Sequence, residues 1–176
     1  MTAASAPVPL NSIPSESNWR FVLETAKVAY PNAWMALISY NHASDSTLGG
    51  FVTPFTGTAG EIPIGRYVAS GNKPSYVAAR RDGSFLGDSI EEIAVDVGPR
   101  IVRDVTVAGV TDTTSANKPV YLTDDQAYTV TKGAGILGTA VGFILDFKTV
   151  ASGICTIFEF GMDQIYCNVI EEGIIA

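Results

Sequence analysis

Charge is scarce in this chain. Only 16% of its 176 residues are Asp, Glu, Lys or Arg, against roughly 25% in an average soluble domain. Hydrophobic residues make up 47%. Low charge with high apolar content excludes intrinsic disorder, which needs the reverse. It also points to apolar surface that another protein chain covers. Histidine is scarcer still, with His42 alone. Any Ser-His-Asp or Cys-His system has to use it. It lies in Asn41-His-Ala-Ser-Asp45, with no G-x-S-x-G and no cysteine-nucleophile motif in the chain. It therefore reads as an exposed loop residue. Two cysteines, Cys155 and Cys167, are too few for a disulfide scaffold. With one histidine they cannot fill a tetrahedral zinc site without carboxylates or a second subunit. They read as buried free thiols, and no metal or cofactor is expected.

Long apolar runs are missing as well. The longest uncharged stretch of the apolar C-terminal half, Gly133 to Leu145, is too short to span a bilayer and carries four glycines. No base precedes Arg20 and there is no apolar leader segment, so no secretory signal is read and synthesis in the cytosol is expected. The net charge of −7, with a pI near 4.5, suits neither a phosphate backbone nor an anionic membrane. Nucleic acid and membrane are therefore not expected partners.

What is present is one domain's worth of chain with enough mass for a real core. Residues 1–15 hold three of the nine prolines and no charge, and read as an extended arm. Residues 16–59 form a second segment. There, Trp19, Val22, Leu23, Ala26 and Tyr30 recur at helical spacing. A helix is therefore predicted over 16–30, stopped by Pro31. Trp34 to Tyr40 reads as a strand apolar on both faces, and residues 41–60 as loop. From residue 60 to 176 the period is mostly two. Ile62, Ile64 and Val68 share one predicted face. Ile93, Val95 and Val97 share another, opposite Asp96. Val105 and Val107 alternate with Asp104 and Thr106. Val141, Phe143, Leu145 and Phe147 form the clearest alternating face. The expected fold is mainly β, a small antiparallel barrel or sandwich with one short N-terminal helix.

Candidate chemistry is sparse. Gly133-Ala-Gly-Ile-Leu-Gly138 matches G-x-G-x-x-G, but a strand-like segment follows it and too little chain remains for a dinucleotide domain. It reads as a glycine-rich turn. Asp124 and Asp125 read as turn residues. Glu91 and Glu92 are adjacent, so on a strand they point to opposite faces. Charge is split: Arg66, Lys73, Arg80 and Arg81 lie in an acid-free stretch, and Asp82, Asp88, Glu91, Glu92 and Asp96 in a base-free one. These read either as solvated loops or as complementary patches that meet across subunits. No catalytic constellation emerges, which favours a structural or binding protein over an enzyme.

Gly60-Glu-Ile-Pro-Ile-Gly-Arg-Tyr-Val-Ala69 resembles the glycine-bounded strand of tailed-phage capsid decoration, or cement, proteins. Lys118-Pro-Val-Tyr-Leu-Thr-Asp-Asp-Gln-Ala-Tyr-Thr-Val-Thr131 resembles their hairpin, and Leu137-Gly-Thr-Ala-Val-Gly142 the strand that follows. The resemblance covers roughly residues 60–160; residues 16–59 fall outside it. It implies a homotrimer on the outer surface of a virion, holding neighbouring copies of the major capsid protein together. Partner contacts are then expected from Val8, Leu10 and Ile13 of the arm, and from Arg66, Arg80, Arg81, Glu91 and Glu92 of the charged patches. The alternative reading is a β-barrel ligand- or carbohydrate-binding module of a fibre or adhesin, with an aromatic site from Trp19, Trp34 or Tyr76. A third reading is a small hydrolase using His42.

Overall fold

The computed structural model describes residues 11–12, 18–24, 26–38, 51–58, 61–68, 85–86, 92–171 and 173. Its strands, in chain order, are β1 (Asn11–Ser12), β2 (Asn18–Leu23), β3 (Val28–Ala29), β4 (Trp34–Ile38), β5 (Phe51–Pro54), β6 (Glu61–Tyr67) and β7 (Phe85–Leu86). They continue with β8 (Glu92–Asp96), β9 (Arg100–Ala108), β10 (Pro119–Leu122), β11 (Tyr128–Thr129), β12 (Ala140–Thr149) and β13 (Ile154–Glu159). Helix α1 (Met162–Glu171) follows.

The mainly β expectation holds, in duplicate. Strands β2-β5-β4-β6-β8 close into one barrel, and β3 and β7 pair beside it as a two-stranded ribbon. Strands β9-β11-β10-β12-β13 form the second, closed by pairing of β13 with β9. β1 joins the other edge of β9, Asn11 opposite Arg103 and Ser12 opposite Val102. The crossing between barrels is only Val97-Gly98-Pro99. The first barrel uses residues on both sides of position 60, because β4 pairs with β6.

The predicted N-terminal helix is not formed. Trp19, Phe21 and Leu23 also repeat with period two, and β2 pairs along its length with β8 and at its end with β5. Helix propensity is a weak preference that such pairing overrides. The helix of this chain lies instead at 162–171, where Ile165 and Val169, one turn apart, are buried. Phe51–Pro54, expected as loop, is a barrel strand.

Two cores result. Leu23, Met35, Val52, Ile64, Ile93 and Val95 fill the first barrel. A second cluster combines Trp34, Ala36 and Phe55 of the first barrel with Val102, Val120, Ile144 and Ile157 of the second, and with Ile165 and Val169 of α1. The barrels are thus packed on one shared core. Every residue of β6 is buried, because one face lines its own barrel and the other meets the second barrel. The face predicted for Ile62 and Ile64 is split between these cores by a β-bulge opposite Met35 and Ala36. The face predicted from Val141 to Phe147 is broken too. The β10–β12 register shifts opposite Val120 and Tyr121, so that Val141 and Ile144 both reach the core and Leu145 faces outward, and the β12–β13 register shifts between Ile144 and Asp146, which brings Phe147 back against the core.

Other readings are borne out. Val107 is buried and Asp104 and Thr106 are exposed. β10 and β11 make the expected hairpin, Tyr121 opposite Thr129 and Leu122 opposite Tyr128. Its turn is fastened by Asp124, whose Oδ1 accepts from the amides of Gln126 and Ala127 at 2.9 Å each. Gly133–Gly138 contains a short 3-10 turn that leads into a strand.

Candidate functional site

Where the barrels meet, charged and aromatic side chains from six strands converge. Arg66 of β6 is 1% exposed. Its Nη2 donates to Glu159 Oε1 of β13 at 2.7 Å, and its Nε to Glu159 Oε2 at 3.1 Å. Its Nη1 donates to the carbonyl of Asn32, and Nη2 also to the hydroxyl of Tyr128. That hydroxyl accepts from Trp34 Nε1 at 3.1 Å and donates to Glu159, so its donor and acceptor capacity is filled. The guanidinium carbon sits 5.1 Å from the Trp34 ring centre and 5.6 Å from that of Tyr128, a cation–π arrangement.

Arg100 completes the cluster at the start of β9. Its Nη2 donates to the Asp96 carbonyl at 2.7 Å and lies 3.3 Å from Asp96 Oδ2. Its Nε stands 3.3 Å from Glu159 Oε2, at ion-pair distance but off the hydrogen-bond line. Asp96 Oδ1 accepts from the Gly98 amide. The three-residue crossing is thereby clipped at both ends. Two guanidiniums face the carboxylates of Asp96 and Glu159, and the charge of the buried Asp125 also acts on Arg66. Burial pushes the Arg66 guanidinium below the ordinary arginine value, opposed by the charge of Glu159 and reinforced by Arg100.

This placement corrects two expectations. Arg66 is not a surface contact, because the second barrel covers it and Glu159 pairs it within the chain. The basic and acidic stretches meet at Arg66 and Asp96 as register partners of β6 and β8 in one chain, not there across subunits. Glu92 pairs with Val22 in the β8–β2 ladder. Val8, Leu10, Ile13, Arg80, Arg81 and Glu91 lie outside the described residues, as do His42 and Tyr76. Sequence reasoning missed Glu159, Arg100 and Tyr128. The one available signal was parity, since Glu159 falls on the same face of β13 as the buried Cys155 and Ile157.

The outer surface carries a different kind of site. Trp19, at the mouth of the first barrel, is 55% exposed and stacks on Phe21 with ring centres 6.5 Å apart. It borders a cavity of about 260 Å³ with Val97, Gly98, Pro99, Met162 and Asp163. On α1, Tyr166 and Ile170, 43% and 50% exposed, lie one turn apart, about a quarter turn round the helix from Ile165 and Val169. Cys167 beside them is exposed, and only Cys155 is the buried thiol expected of both. Trp34 is taken up by the internal cluster and has no part in a surface site. Among the described residues no group of His, Cys, Asp and Glu is arranged to hold a metal ion. No family model, curated protein or solved structure matches this chain.

Proposed function

We propose that this chain is a structural, non-enzymatic protein that binds the outside of a phage capsid as a trimer and bridges neighbouring capsomers. The supporting observation is that the segments carrying the resemblance contain strands and a hairpin, shared between the two barrels. Glu61–Tyr67 is a strand, Pro119–Thr129 holds a hairpin, and Ala140 opens the next strand. The outward apolar side chains Trp19, Leu145, Tyr166 and Ile170 are suited to protein contact, where aromatic anchors carry much of the binding energy. Many copies on one shell add avidity to each contact.

The test uses shells assembled from a tailed-phage major capsid protein taken from the same genome as this chain. The purified chain should co-sediment with them in multiples of three and raise their disruption temperature. Shells that stay bare at saturating protein overturn the proposal. The exposed Trp19 beside its cavity favours the second reading, a ligand- or carbohydrate-binding module. Saturable binding to a glycan panel together with bare shells would select it.

A further inference from the structure

The buried cluster shows how this chain holds a guanidinium: aromatic rings over its face and a carboxylate at its edge, as Trp34, Tyr128 and Glu159 hold Arg66. The surface notch at the mouth of the first barrel supplies the same two components. Trp19 is its aromatic wall, and Asp163 is the only charged group among its lining residues. Among the described residues neither side chain takes a hydrogen bond or ion pair. Pro99 and Met162 add apolar surface, and Phe21 stacks on Trp19.

We propose that this notch is a docking site for an arginine side chain presented by a protein partner. Charge complementarity argues for a cation. Asp163 stands in the first turn of α1, where the helix start carries about half a positive charge, so the carboxylate leaves the notch net negative. The chain as a whole carries −7, which attracts a basic partner and repels an acidic one. Size argues for a side chain. The cavity of about 260 Å³ falls below the roughly 300–1,000 Å³ of small-molecule pockets. Shape argues for arginine over lysine, because a planar guanidinium stacks on an indole while its edge donates to a carboxylate. The inference does not depend on the partner being a capsid protein.

The two tryptophans make the test selective. Trp34 is buried and donates to Tyr128, so its indole N–H resonance is an internal control for that of Trp19. The full chain, labelled with ¹⁵N, is titrated with the tripeptide acetyl-Ala-Arg-Ala-amide. The matched citrulline peptide, which keeps the shape and lacks the charge, and methyl glucoside are titrated in parallel. The arginine peptide should shift the Trp19 indole saturably and leave Trp34 unmoved. Asp163→Asn should weaken binding about fivefold, in the range of an exposed ion pair, and Trp19→Ala, read from the backbone amides of Gly98 and Asp163 that line the notch, should abolish it. An unchanged Trp34 resonance reports that both variants are folded. An equal shift with citrulline removes the cation and overturns the proposal. A saturable shift with methyl glucoside alone overturns it in favour of a sugar site. No saturable shift at about 50 mM peptide, well above a millimolar Kd, overturns it outright.

Discussion

At the scale of single residues, Glu159 holds the barrels' contact together electrostatically. It takes bonds from Arg66 and Tyr128 and faces Arg100. Glu159→Ala removes the carboxylate that Arg66 bonds to and one of the two that face Arg100. A loss of about 3–5 kcal/mol is expected in urea unfolding, and Tyr128→Phe should cost about 1–3 kcal/mol by orphaning the groups it satisfies. Burial pushes up both the Cys155 thiol and the Tyr67 phenol. The folded state therefore holds these protons at pH values where the unfolded chain releases them. Stability should be full below about pH 8.5 and fall as pH rises through the alkaline range. Cys155→Ala should make that fall shallower in urea midpoints taken from pH 8 to 11. Apart from the parity of Glu159 on β13, none of this cluster was legible locally. Arg66 sits in a basic stretch that reads as surface, and its burial comes from Tyr128 and Glu159, 62 and 93 residues away.

At the scale of elements, two glycines show how closely the strands approach. A Cβ on Gly65 would lie 2.1 Å from the Asp96 carbonyl oxygen, and one on Gly142 2.1 Å from that of Phe158. Backbone has to move to admit either. Gly65→Ala or Gly142→Ala should cost at least about 2–3 kcal/mol, read from the shift in urea midpoint. The arm expectation also changes at this scale. Asn11 and Ser12 pair with β9, so deletion of residues 2–14 removes a strand as well as the apolar residues Val8, Leu10 and Ile13. A measurable fall in Tm should accompany any loss of capsid occupancy, whereas deletion of residues 2–10 spares β1 and should leave Tm nearly unchanged. Strands were legible wherever one face meets core and the other water, as in β9. They were misread where a register shift resets the alternation, as at Leu145, or where one segment fits both periods, as at Trp19 to Leu23. The helix at 162–171 escaped notice because Tyr166 and Ile170 are outward and blur the stripe of Ile165 and Val169.

At the scale of the whole molecule, the low charge that suggested self-association is partly explained inside the chain, since the second barrel covers β6. The trimer therefore rests on the resemblance and on the outward apolar side chains. Sedimentation equilibrium should give a mass near three chains, at least on the shell, and a strict monomer under both conditions overturns it. The shared core has a further consequence during synthesis. Arg66 leaves the ribosome 93 residues ahead of Glu159, an interval of about 5–20 s at roughly 5–20 residues per second. From the emergence of β8 onward the first barrel has every strand it needs, but Trp34, Ala36, Phe55 and Ile62 have no second barrel to cover them. A fragment ending at Val97 should therefore remain unfolded by circular dichroism, although it contains all five strands of a closed ring. The nascent chain waits, exposed to chaperones and proteases, until its last strand arrives and both barrels can settle together.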